Sequence, residues 1–192
     1  MSTVDANRVV LTGENSVIRL GTDDSDNFST NATFWRLLTS GAGPGHVLYI
    51  KSELTDSRWQ IYSDNIAMAR WLQATVLGAI NVELRDLAIP VVEAYFSKSG
   101  AARDFWTERL EASGEDIALT WYRLGEPFLV HTQPNTIPGR PYGMCTVLVP
   151  ALGVRLTRNG REAKGQPWPR DREGRPSSTC VLGLCESWTE AR

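Results

Sequence analysis

From Pro90 onward the chain is a series of short segments in which apolar and polar side chains alternate, broken at short intervals by turn residues. A period of two belongs to a strand with one buried face, and several such strands joined by tight turns form a meander that must close on itself or pack against a second sheet. The candidate strands are 91–97, 105–111, 116–124, 128–132, 144–149, 152–158 and 179–188. Their separators are Ser113-Gly114, Gly125-Glu126-Pro127, Pro138-Gly139-Arg140-Pro141, Asn159-Gly160 and the Pro-rich run 166–176. The pattern predicts a mainly β protein, an antiparallel barrel or sandwich with one or two short helices, with an α+β arrangement as the alternative.

The first half of the chain reads differently. Residues 9–11 and 17–20 are expected as two short strands across the turn Gly13-Glu14-Asn15, and 34–38, set between polar residues and Gly41, as a short helix. A hairpin is expected from 47–52 and 59–62. The clearer of the two helices, over 64–77, would be capped by Ser63 or Asp64 and ended at Gly78, with Met68, Trp71, Leu72 and Thr75 as its core-facing stripe. A single domain over 1–192 follows, in which 1–45 supplies strands and a helix and 46–192 the β-body. Its 192 residues suit one domain, and seven Trp, five Tyr and five Phe are enough for a core.

Charge and motif content narrow the function. Twenty basic against 22 acidic side chains give a net charge of −2, which argues against a nucleic-acid partner. No stretch approaches the roughly 18 apolar residues that span a bilayer, so no membrane partner is expected. The start of the chain lacks a basic segment followed by an apolar one, and cytoplasmic residence is the expectation. Cys145, Cys180 and Cys185 lie in apolar runs and read as buried structural thiols. There is no phosphate loop, dinucleotide fingerprint or Gly-x-Ser-x-Gly elbow, and no cofactor is expected. Two separated histidines, His46 and His131, make a weak metal case, and none is assigned, although spacing does not exclude a site built from His131 and carboxylates.

Dividing each strand into its two faces exposes anomalies. A two-residue turn at Ser113-Gly114 pairs Leu110 with Ile117, Glu108 with Leu119, and Trp106 with Trp121. Glu108 then shares a face with Trp106, Leu110, Ile117, Leu119 and Trp121. In the last strand Glu186 shares a face with Cys180, Leu182, Leu184 and Trp188. A carboxylate in apolar surroundings is expensive to ionise, so it becomes an acid or base usable near neutrality; equally, it can be one half of a structural ion pair. His131 closes a strand before a long loop and is the third candidate for proton transfer, while His46 reads as a surface residue.

These residues predict an enzyme without cofactor, a lyase, hydratase, isomerase or hydrolase, acting on a small cyclic or aromatic molecule in a barrel pocket. Glu108, His131 and Glu186 would carry the chemistry. Trp106, Trp121, Tyr95 and Tyr122 would form the walls, with Arg155 or Tyr122 stabilising developing negative charge. A non-catalytic ligand carrier or a structural interaction module is the contrasting reading. Self-association is left open.

Overall fold

The structure is a computed structural model that describes residues 8–101, 103–136 and 141–191. The separator expected at Pro138-Gly139-Arg140 and the first seven residues lie outside that set. The described residues form thirteen strands, in the order β1 (Val9–Leu20), β2 (Thr30–Thr39), β3 (Gly45–Lys51), β4 (Gln60–Ser63), β5 (Val91–Ala101), β6 (Phe105–Ala112), β7 (Glu115–Leu124), β8 (Phe128–Thr132), β9 (Gly143–Arg158), β10 (Arg161–Glu162), β11 (Pro169–Arg172), β12 (Arg175–Ser178) and β13 (Val181–Thr189). Helix α1 (Ile66–Leu72) follows β4. Nine strands close into a barrel, running β9-β13-β1-β2-β3-β4-β5-β6-β7 and back to β9.

Closure depends on β9. The 144–158 region, read as two strands, is one of 16 residues. Its first half pairs with β13, from Gly143 opposite Thr189 to Pro150 opposite Val181. Its second half pairs with β7, from Ala151 opposite Leu124 to Arg158 opposite Ile117. The handover falls at Pro150, which has no N–H to give either neighbour; its carbonyl accepts from Gly125 at 2.7 Å, and Ala151 donates to Cys180 at 2.9 Å. β8 continues along the β7 edge, pairing with 144–148.

The barrel is mixed rather than strictly antiparallel. β4 and β5 run parallel, Ile61 opposite Val91, because residues 64–90 cross over through α1 instead of turning back as a hairpin. The helix is capped by Asn65, whose side chain accepts from Met68 N–H, and not by Ser63 or Asp64. It does not stop at Gly78: a π-helical turn over Gln73–Leu77 leads into a last turn at Gly78–Ile80. Its buried stripe is Met68, Ala69, Leu72, Val76 and Leu77, with Trp71 and Thr75 half-buried at its edge.

The expected helix at 34–38 is instead part of β2. Strand β2 is covered on both faces, so Phe34-Trp35-Arg36-Leu37 shows no alternation of hydropathy and reads equally as a helical run. Residues 9–20 likewise form one strand, with the register irregular between Gly13 and Val17 where a turn was expected. Two cores result. Ile18, Ala32, Phe34, Leu48, Phe96, Leu110, Leu119, Trp121 and Leu182 fill the barrel. Leu11, Trp35, Tyr49, Met68, Leu72, Leu148 and Trp188 pack on its outer wall.

The hairpin at Ser113-Gly114 has the register read from the sequence, including Glu108 opposite Leu119 and Trp106 opposite Trp121. The last strand departs from its reading. Cys185 adopts a left-handed φ of 54° and the β13–β9 register shifts between Leu184 and Ser187. The extra residue reverses the alternation, so Cys180 and Leu182 face the barrel interior while Trp188 packs outside. The thiols also part company, since Cys180 is buried, Cys145 half-buried and Cys185 exposed. A left-handed conformation costs a non-glycine residue on the order of 1–3 kcal/mol. Cys185→Gly is therefore expected to unfold at slightly higher urea than the parent chain, and the β-branched Cys185→Val at lower urea. The reverse order would mean that the bulge carries no backbone strain.

Candidate functional site

The two ends of the barrel are built differently. One end is sealed by Leu54, from the 3-10 turn Glu53–Thr55, and by Ala163, both packed into the interior core. There the Tyr62 hydroxyl donates to Glu115, while Arg158 donates to Glu115 at 2.5 Å and to the Leu54 carbonyl. The opposite end holds the inward-facing charges. Arg36 continues the inner face of Ala32 and Phe34, Lys98 that of Ala94 and Phe96, and Glu108 that of Leu110.

Glu108 is 4% exposed. Arg36 Nη2 donates to its Oε2 at 2.9 Å and its Oε1 at 3.2 Å. Lys98 Nζ lies 3.6 Å from Oε1, donates to Glu14 at 2.8 Å and sits 4.1 Å above the Trp106 ring. His46 stacks on Phe96 with centroids 5.3 Å apart, and its Nδ1 is 2.5 Å from Asp64 Oδ2. Arg36 Nε has no hydrogen-bond partner among the described residues, so this guanidinium keeps a donor beyond its bonds to Glu108. Arg36, His46 and Asp64 also line an open depression of about 740 Å³ whose rim carries the exposed Leu38 and Ile66.

Burial pushes the Glu108 carboxyl up from 4.5 to about 7; Arg36 and Lys98 pull it down, and Glu14 adds to the rise. Desolvation wins because the group is taken almost wholly out of water while its cations stay partly hydrated at the mouth. The result is a carboxyl that exchanges its proton near neutrality beside two cations.

The structure brings only part of the expected site together. Glu108, Trp106 and Trp121 share the interior, but Trp121 is fully buried core with Nε1 donating to the Val17 carbonyl at 3.1 Å. Glu186, turned by the Cys185 bulge, lies on the outer wall, where its Oε1 accepts from Trp188 Nε1 at 2.6 Å. His131 is on the exposed face of β8. Tyr95 is 73% exposed, Tyr122 lies outside against Gly153, and Arg155 pairs outside with Glu162 at 3.1 Å. Glu108, Glu186 and His131 therefore do not converge. Arg36, Lys98, Glu14 and the rim residue His46 were missed, and the signal for Arg36 and Lys98 was present. Each follows two apolar residues at a spacing of two once its strand is given its full length.

Among the described residues no group of His, Cys, Asp and Glu is arranged to hold a metal ion, and no helix is long and apolar enough to cross a membrane. No protein-family model matches the chain, and no curated protein is detectably similar to it.

The raised Glu108 value makes stability depend on pH. The folded-state value lies above the unfolded one, so the contribution of the neutral carboxyl is fully present below about 4.5 and is lost as pH rises through about 7. The shift is equivalent to about 3 kcal/mol. Glu108→Gln, which cannot ionise, is expected to be more stable than the parent by about 2–3 kcal/mol near pH 8 and nearly equal to it near pH 4.5, measured by urea unfolding. A difference that ignores pH, or a less stable variant at alkaline pH, would mean that the pairing with Arg36 outweighs desolvation.

Proposed function

We propose that the protein is a small-molecule enzyme that moves a proton at the charged mouth of the barrel, with Glu108 as acid and base. The observation that carries this reading is the buried Glu108 carboxyl, raised to about 7 while held by Arg36 and close to Lys98. A general acid or base works best when its pKa lies near the working pH, and a cation beside it offsets charge formed in the reaction. The substrate class is a small cyclic or aromatic molecule bearing a carbonyl, seated over Leu38 and Ile66 with its oxygen toward Arg36.

In the simplest cycle, the Glu108 carboxylate removes a proton from the carbon next to the carbonyl. The electron pair of that C–H bond forms the carbon–carbon double bond of an enolate while the carbonyl π pair moves to the oxygen, where the Arg36 guanidinium balances the charge. The Glu108 acid then returns the proton to the same carbon or, where a conjugated double bond extends the enolate, to its far end, so nothing is oxidised and no cofactor enters. None of the three cysteines is in a disulfide, which fits work in a reducing compartment such as the cytoplasm.

A non-catalytic carrier is the second reading. It draws on the filling of the barrel by its own side chains, which leaves ligand binding to the mouth or the outer wall. Deuterium exchange into a panel of small cyclic and aromatic ketones, followed by NMR, separates the two. The enzyme reading expects exchange that rises with pH to a plateau above about 7 and falls by on the order of 10²-fold or more in Glu108→Gln. Panel members that bind without exchanging, or exchange unaffected by that substitution, would favour the carrier.

A further inference from the structure

The outer wall carries a second cavity, on the opposite side of the sheet from Glu108. It holds about 420 Å³, within the range of small-molecule sites. Its floor is the outward face of β1 and β2, where Asn15, Val17 and Arg19 stand opposite Trp35, Thr33 and Asn31. Residues of β9 and β13, the 77–84 segment and the β11–β12 hairpin complete its walls.

The two ends of this cavity differ in chemistry. At the Asn15 end lie Trp35 and Trp188, edge to face with centroids 5.9 Å apart, together with the Glu186 carboxylate. Trp35 is 1% exposed, and its Nε1 has no hydrogen-bond partner among the described residues. A buried donor left without a partner is costly, and a ligand acceptor would relieve that cost. Four residues along β1, about 13 Å at the strand rise, the Arg19 guanidinium lies over the Phe28 ring at 5.9 Å. Arg19 and Arg172 both line this end with Asp26 and Asp171, and neither arginine makes an ion pair among the described residues; burial disfavours the charge on Arg19, Cys180 and Asp26 favour it, and Arg172 disfavours it. Arg170 beside them is already held by Asp24 and Asp26.

We infer that this cavity binds an elongated organic anion with a flat ring system. Its carboxylate or similar group sits between Arg19 and Arg172, its rings lie against Trp35 and Trp188, and a neutral oxygen at the far end accepts from Trp35 Nε1. The polarity has a physical reason. At the Arg19 end three lining guanidinium groups, Arg19, Arg170 and Arg172, stand against two lining carboxylates, Asp26 and Asp171, so an anionic head is favoured there.

The test uses the full chain and three probes: a hydroxynaphthoate with hydroxyl and carboxylate at opposite ends, naphthoate without the hydroxyl, and naphthol without the carboxylate. Saturable one-to-one binding is expected, tightest for the hydroxynaphthoate, with the Trp35 indole N–H resonance moving downfield. Arg19→Met combined with Arg172→Met should weaken both carboxylates about tenfold or more and naphthol less than about twofold. Arg161→Met, an exposed charge away from the cavity, should change nothing. Trp35→Phe should remove the hydroxyl's advantage, making hydroxynaphthoate and naphthoate equal, with circular dichroism and thermal unfolding checking that the variant is folded. Should Trp35→Phe unfold the chain, the indole resonance of the parent decides the same point. The inference is overturned if no probe saturates at millimolar concentration, if the arginine pair makes no difference, or if the shifted resonances belong to the Glu108 end. Because proton transfer at the mouth requires none of these residues, a negative result here leaves that reading standing, and the converse also holds.

Discussion

Strand β9 ties the barrel together: its first half is bonded to β13 and its second to β7, with Pro150 at the point where the partners change. Because side chains alternate across a strand, fixing both registers on one 16-residue segment fixes which side chains around the ring point inward. Glu108 is inside because β6 pairs with β7 and β7 with the second half of β9. Trp188 and Glu186 are on the outer wall because β13, after the Cys185 bulge, pairs with the first half with its alternation reversed. The location of each carboxylate thus joins a local device, the Ser113-Gly114 turn for Glu108 and the Cys185 bulge for Glu186, to the closure that gives the sheet an inside and an outside.

Closure also creates an electrostatic asymmetry. At the sealed end, Leu54 and Ala163 close the core, and Glu115, itself partly hydrated, is bonded by Arg158 and Tyr62. At the open end, Arg36 and Lys98 remain partly hydrated while Glu108 does not. A carboxylate in that position loses most of its hydration and regains only part of the loss from its cations, so its proton affinity rises toward neutrality. The two ends therefore hold their carboxylates differently, although both contain the same kinds of side chain.

The legibility of the sequence follows the same physics. The two-residue turn at Ser113-Gly114 leaves little freedom of register, so the whole β6–β7 face, Glu108 included, was readable. Glu186 was not, because reversing its face takes one left-handed residue, and Cys185 is not a residue whose type announces that conformation. Arg36 was hidden by the covering of β2 on both faces, which erased the alternation that would have shown a strand. Lys98 was lost for a simpler reason: β5 runs on to Ala101, past the expected strand end at residue 97. The parallel pairing of β4 with β5 depends on a crossover whose destination no local pattern specifies. His131, Tyr95, Tyr122 and Arg155 were sound as strand residues, but their faces look outward.

The central claim is that desolvation in a closed barrel, only partly offset by Arg36 and Lys98, sets the proton affinity of Glu108. The most direct measurement is a titration of the Glu108 side-chain carboxyl carbon by NMR, in the parent chain and in Arg36→Met. The account predicts a midpoint near 7 in the parent and a higher one in the variant, where a stabilising cation has gone. A midpoint at the ordinary glutamate value, unmoved by the loss of Arg36, would contradict it.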